Sequence, residues 1–142
     1  MLRRNRPKDM EDIVEIWLLA SLQAHDFVDA SCWWRAQEEL RTRYLEHASI
    51  WVFEEGGVLH GFVALVDDYL AALYVRPGQQ RHGVGHALLQ RAKEQGRSLH
   101  ARVFVENEEA VRFYRRHGFV IEAEVADPLT GHLQYQIHCT ST

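Results

Sequence analysis

Cysteine is scarce in this chain, and so are proline and long apolar runs. Cys32 and Cys139 are the two cysteines in 142 residues. They form no disulfide framework and no thiolate metal motif, and a reducing cytoplasm is the simplest compartment. No stretch approaches the roughly 18 consecutive apolar residues of a membrane span, so no membrane partner is expected. The opening residues MLRRNRPKDM lack an apolar signal core, which argues against secretion. Repeats, linkers and low-complexity segments are absent. A formal net charge of −4 argues against general nucleic-acid binding and is compatible with a cationic acceptor. The nine histidines are scattered, and no metal site is expected.

What is present suits one folded unit. The apolar content is 46% over 142 residues, enough for a core and for a single domain spanning residues 1–142. Met1 to Arg4 reads as a short edge strand. Pro7 suits a first helical turn that Asp9, Glu11 and Asp12 favour electrostatically. Met10, Ile13, Trp17 and Ala20 then give an apolar helix face that ends near His25-Asp26. A second helix is predicted from about Trp33 to Glu46. Strands follow over Ile50–Glu54 and Val58–Val66 around Glu55-Gly56-Gly57, and over Tyr69–Val75 after Asp67-Asp68. A helix is predicted in 80–96, a strand over Leu99–Val105, a helix over 107–117, a strand from Gly118 and a last strand over Tyr135–Cys139. The last strand follows a turn at Asp127-Pro128 or Gly131.

The segment Gln80-Arg81-His82-Gly83-Val84-Gly85 carries the most information. It joins the apolar strand YLAALYV at 69–75 to a helix whose stripe is Val84, Leu88 and Ala92. Glycines permit close backbone approach, and the first turn of a helix presents free N–H groups. Such a junction binds phosphate. Two familiar nucleotide loops fail here. A dinucleotide fingerprint needs glycine where Leu88 stands and an acid about 20 residues on, where the chain has Arg102 and Val103. A P-loop needs Gly-Lys-Ser/Thr, and Gly85 is followed by His86. On the loop alone, a helix start that uses its glycines only for packing is also open.

A second block, NEEAVRFYRRHGF at 107–119, has the marks of a short, well-capped helix. Asn107 is a good N-cap, and Glu108 and Glu109 favour the positive end. Arg115, Arg116 and His117 favour the negative end, and Gly118 can close it. Taken together, the two blocks resemble the GCN5-related N-acetyltransferase (GNAT) family. The first matches its Gln/Arg-x-x-Gly-x-Gly/Ala motif after a strand. The second matches its Asn-x-x-Ala-x-x-Phe-Tyr before Gly-Phe through Asn107, Ala110, Phe113, Tyr114, Gly118 and Phe119. The resemblance covers nearly the whole chain and implies an α/β (α+β) fold. Its mixed, mostly antiparallel sheet would be flanked by helices, in the order β-α-α-β-β-β-α-β-α-β-β.

The resemblance implies transfer of an acetyl group from acetyl-CoA to a primary amine. Leu73, Tyr74 and Val75 would give backbone contacts to the pantetheine arm. Arg81, His82, Gly83, Val84, Gly85 and His86 would cradle the pyrophosphate. Asn107 would contact the coenzyme arm or an ordered water, and Tyr114 would protonate the leaving thiolate. Some family members carry a glutamate base five residues before the asparagine. This chain has Arg102 there, and a guanidinium cannot serve as a base. Replacement candidates are His25, Asp67, Asp68 and Tyr69, of which Tyr69 is placed at the acceptor mouth. Glu106 is near in sequence. The bland readings are a helix cap for His25, a solvated turn for Asp67-Asp68 and core packing for Tyr69.

Within the family, the chain is most similar to small single-domain bacterial acetyltransferases that include protein-lysine acetyltransferases. His25-Asp26-Phe27, WVFEEGG at 51–57, GFVAL at 61–65 and YLAALYVRP at 69–77 carry that likeness. Protein lysine, a peptide N-terminus and small amines are all open as acceptors, and His25, Phe27, Trp33, Trp34 and Tyr44 form an aromatic set for the acceptor wall. A monomer or homodimer is expected. The competing class is a non-catalytic acyl-CoA sensor of the same fold, which would have no need of the Tyr114 phenol.

Overall fold

The computed structural model describes residues 1–80, 82–95 and 98–140, with the side chains of Arg43 and Tyr44 left aside. Among the described residues there are seven strands and four α-helices: β1 (Leu2–Arg4), α1 (Met10–Ala24), α2 (Ala30–Glu39), β2 (Ser49–Glu55), β3 (Val58–Val66) and β4 (Tyr69–Val75) come first. Then follow α3 (Val84–Gln95), β5 (Ser98–Phe104), α4 (Glu108–Arg116), β6 (Val120–Ala126) and β7 (Leu133–Thr140). A 3-10 turn at Pro7–Asp9 precedes α1, and a π-helical turn at Leu40–Leu45 follows α2. The predicted element order is therefore the observed one.

α2 begins at Ala30, three residues earlier than the expected Trp33. Its cap explains the shift: the Asp29 carboxylate accepts from the Ser31 N–H at 2.9 Å and from the Ser31 hydroxyl at 2.8 Å. The helix also does not run evenly to Glu46, because the π-helical turn takes over at Leu40.

The strands form one sheet in the order β1-β2-β3-β4-β5-β7-β6. Every neighbouring pair is antiparallel except β4 with β5. Strand alternation divides the core into two layers. Ile50, Val52, Phe62 and Ala64 pack beneath α1 and α2 with Ile13, Ile16, Trp17 and Trp33. Trp51, Val63 and Leu65 face the other way, toward Val84, Leu88, Leu89 and Ala92 of α3. Gly61 lets α3 come close on that side. A Cβ there would lie 2.8 Å from the Tyr74 carbonyl oxygen and 3.1 Å from Leu88 Cδ1, which is too near for any side chain.

Two irregularities in β4 create the functional region. Ala64 pairs with Ala72 but Leu65 pairs with Leu70, so Ala71 is an extra residue in β4. A bulge of this kind shifts the alternation by one. Leu70 joins the α3 layer, whereas Ala72 and Tyr74 join the α1–α2 layer. Tyr69, opposite Val66 and before the bulge, is thereby returned to the α1–α2 face. The second irregularity is a divergence. β4 and β5 share one paired position, Tyr69 with His100, secured by the His100 N–H to the Asp68 carbonyl at 2.9 Å. Beyond it the two strands separate, opening the middle of the sheet.

Candidate active site

A cleft of about 990 Å³ runs from the β4–α3 loop to the opening between β4 and β5. Its walls include Leu73, Tyr74 and Val75 of β4, Gly83, Gly85 and His86 at the start of α3, and Asn107, Phe113 and Tyr114 from the β5–α4 region. α1 contributes Ala20, Gln23 and Ala24. That volume suits a sizeable ligand. A small chamber of about 90 Å³ continues the cleft between the strands, walled by His25, Leu73, Tyr74, Arg102, Phe104, Asn107, Tyr114 and Gln134 among others.

At the α3 end the geometry follows directly from the glycines. Gly83 has φ +81°, a conformation that costs L-residues energy and glycine nothing. The first intrahelical bond of α3 is Ala87 N–H to the Gly83 carbonyl, at 3.0 Å. The N–H groups of Val84, Gly85 and His86 precede it and have no helical acceptor. A Cβ on Gly85 would meet Phe113 at 3.6 Å and Val75 Cγ2 at 3.7 Å, ordinary contact distances, so the steric demand rests on Gly83. Basic groups stand around this end: His86, Arg112, Arg116 and His117 line it. The rings of His86 and His117 are 5.0 Å apart. His117 is held below the usual histidine range by burial first, and then by His86, Lys93 and Arg116.

At the chamber end the key contact links the two halves of the chain. Asn107 caps α4, its Oδ1 accepting from the Ala110 N–H at 3.2 Å. That bond fixes the amide orientation. The Asn107 Nδ2 then faces His25 Nε2 at 3.0 Å. Since Nδ2 can only donate, Nε2 is the acceptor and the imidazole proton sits on Nδ1. Nδ1 is buried without a partner among the described residues. His25 is 5% exposed and is enclosed by Phe27, Trp33 and Phe104, with ring centroids 4.8–5.7 Å away. Burial lowers its pKa to about 4, against a small opposing effect of Asp26. An imidazole that is so weakly basic, with its lone pair already engaged, is unsuited to be the base; it holds Asn107. It also caps α1, its backbone N–H bonding the Ser21 carbonyl at 2.9 Å.

Tyr114 lies on α4, 8% exposed. Its ring packs against Phe113 at 5.4 Å and Phe119 at 5.1 Å. Burial raises the phenol above the ordinary tyrosine range, and the nearby Tyr74 and Tyr69 phenols add to the shift. Burial likewise raises Tyr74. Both phenols therefore hold their protons at neutral pH.

Of the residues expected to bind coenzyme, Leu73, Tyr74, Val75, Gly83, Gly85, His86 and Asn107 share the cleft with Tyr114. His82 is exposed and Val84 is buried in the α3 layer, and neither lines the cleft. Arg81 lies outside the described residues. Tyr69 is half-buried on the α1–α2 face, near the other phenols but not in the wall of either cavity. Asp67, at φ +55°, and Asp68 form the exposed β3–β4 turn. Glu106 pairs with His132 Nδ1 at 2.7 Å, tying the β5–α4 loop to the segment before β7. His82 and His86 are four residues apart but straddle the start of α3, so they do not share a helix face. No group of three or more metal-ligating side chains occurs among the described residues, and no described helix is long and apolar enough to cross a membrane. The helix-cap reading of His25 holds, but its contact with Asn107 escaped sequence reasoning, since the two stand 82 residues apart.

The acetyltransferase (GNAT) domain model matches residues 46–121. The chain is 35% identical to the peptidyl-lysine N-acetyltransferase YiaC of Escherichia coli K12 over 122 residues, 85% of this chain and 84% of YiaC. It is 33% identical to peptidyl-lysine N-acetyltransferase YjaB of the same organism over 130 residues, covering 89% and 87% of the two chains. The solution structure of apo-form YjaB superimposes with a TM-score of 0.86 at 28% identity, over 100% of this chain and 98% of that one. The chain belongs to the GNAT acetyltransferase family. It is an acyltransferase that moves an acetyl group from acetyl-CoA to an amine.

Proposed function

We propose that residues 1–142 act as one domain that acetylates lysine side chains of proteins or peptides. The observation that carries this reading is the chamber between β4 and β5, which shares Tyr114 and Asn107 with the cleft and adds walls from β5 and β7. YiaC and YjaB, peptidyl-lysine acetyltransferases covered over most of their length, support the choice of acceptor.

The chemistry assigns a task to each part of the cleft. The free N–H groups at the start of α3, with Arg112 and Arg116 nearby, suit the coenzyme's phosphates. The β4 backbone at Leu73–Val75 would run along the pantetheine arm and place a backbone donor at the acetyl carbonyl, where the oxyanion develops. The neutral amine attacks that carbonyl and the carbon–sulfur bond breaks. Tyr114 would then donate its proton to the departing thiolate, and the proton shed by the attacking nitrogen would return through water to the phenolate. The phenol is a protonated donor at neutral pH, and burial raises its pKa further. Asn107, held by His25 and by its cap bond, would fix the coenzyme arm or an ordered water. Tyr69 would border the acceptor entrance.

The test is a mass-resolved panel: lysine peptides, peptides with only a free N-terminus, polyamines and free amino acids, each incubated with acetyl-CoA. The reading expects acetylation on the lysine Nε, with release of one thiol per acetyl transferred. Modification confined to small amines would overturn the peptidyl-lysine assignment. Coenzyme binding without thiol release from any acceptor would favour the sensor reading.

A further inference from the structure

The chamber wall contains a cation that the acetyl-transfer chemistry leaves unused. Arg102 is exposed on β5 and lines the chamber together with His25, Asn107 and Tyr114. Leu99, Ala101 and Val103 face the α3 layer, so strand alternation puts Arg102 on the opposite, α1–α2 face, alongside Phe104. Among the described residues its guanidinium makes no hydrogen bond or ion pair. The acidic side chains Asp68 and Glu122 lie 3.7 Å and 3.9 Å from His100. Gln136 stands directly opposite Arg102 in the β5–β7 register, and Gln134 opposite Phe104. Gln134 also lines the chamber. Neither amide side chain has a partner among the described residues.

A lone guanidinium repels a lysine ammonium that enters the same chamber. A carboxylate placed between them removes that conflict. Guanidinium and amide N–H groups together match a carboxylate, through the fork of donors that arginine presents. We propose that Arg102, with Gln134 and Gln136, forms a carboxylate-binding subsite at the acceptor mouth, which selects lysines flanked by an acidic residue. This rests on the peptidyl-lysine reading. The same chemistry would accept the α-carboxylate of a free amino acid, and the experiment separates the two sources.

The experiment compares lysine peptides that differ only in having Glu, Gln or Lys beside the acceptor. The Glu-flanked peptide is expected to be preferred over the Lys-flanked one by about tenfold or more in kcat/KM, the scale of a charge-assisted hydrogen bond, mostly through KM. Arg102→Gln should flatten the order and Arg102→Glu should invert it, with acetyl-CoA affinity by calorimetry unchanged in both. Equal use of the three peptides by the parent protein would overturn the subsite while leaving the lysine reading intact, and so would a preference that survives in both variants. Should no peptide be acetylated while small amines are, the lysine reading fails and the subsite is judged on free lysine against cadaverine. A preference for lysine that Arg102→Gln abolishes supports it; equal rates overturn it.

Discussion

The two ends of the cleft are built in different ways. The α3 end is local: strand, turn and helix start lie within residues 69–95. It presents one glycine at φ +81° and the first three N–H groups of the helix. The chamber end is assembled from distant segments: His25 comes from the end of α1, Arg102 and Phe104 from β5, Asn107 and Tyr114 from the cap and body of α4, and Gln134 from β7. The first end presents backbone N–H groups rather than particular side chains. The second depends on particular side chains holding one another. Substitutions should therefore act on coenzyme affinity at one end and on turnover at the other.

The largest expected effect is at the backbone end. Gly83→Glu forces a side chain onto a left-handed backbone position and places a negative charge where phosphates would lie. Acetyl-CoA affinity by calorimetry should fall by about 100-fold or more, corresponding to roughly 3 kcal/mol, while the circular dichroism spectrum remains that of a folded protein. A Cβ on Gly83 would meet nothing within 4 Å, so packing elsewhere is undisturbed. Unchanged affinity would remove the α3 loop from the coenzyme site.

The same contrast explains what could be read from the sequence. The loop and the α4 helix are written in contiguous residues: Gly83 and Gly85, then Asn107, Ala110, Phe113 and Tyr114. Their roles depend on helix starts, caps and spacing, which are local properties. The order of elements was legible for the same reason, since the alternation in β2 and β3 and the stripe in α3 repeat at short range. The early start of α2 turns on the cap that Asp29 and Ser31 form, a signal weaker than the apolar pattern that begins at Trp33. The bulge at Ala71 leaves no local mark, because its cause is pairing with β3. Nor does the sequence disclose that His25 meets Asn107 or that Gln134 joins Arg102 in the chamber wall. Both facts need the sheet order, in which β5 lies beside β4.

At the chamber end, His25→Phe keeps an aromatic ring among Phe27, Trp33 and Phe104 but leaves the Asn107 amide without its acceptor. Turnover should fall by about tenfold, the scale of one lost hydrogen bond between side chains, with acetyl-CoA affinity little changed. The substitution has a second signature in pH. The folded pKa of His25 is lowered from 6.5 to about 4, so the unfolded chain binds more protons between those values. Stability from this group is fully present above pH 6.5 and is lost as pH falls toward 4. At pH 5 the loss is about 2 kcal/mol by linkage. Urea unfolding at pH 7 and pH 5 should show that loss in the parent protein and a correspondingly smaller one in His25→Phe. Equal acid sensitivity in both proteins would mean that His25 is not buried in its neutral form.

The most direct test of the account is the steady-state rate of Tyr114→Phe with an acceptor active for the parent protein, measured alongside coenzyme affinity and melting temperature. The ring contacts with Phe113 and Phe119 survive this change and only the hydroxyl is lost. The account predicts turnover reduced by roughly 10²–10⁴-fold, the usual worth of a general acid, with acetyl-CoA affinity near that of the parent and the fold intact. Parental turnover in Tyr114→Phe would contradict it and leave Tyr114 as a buried packing residue.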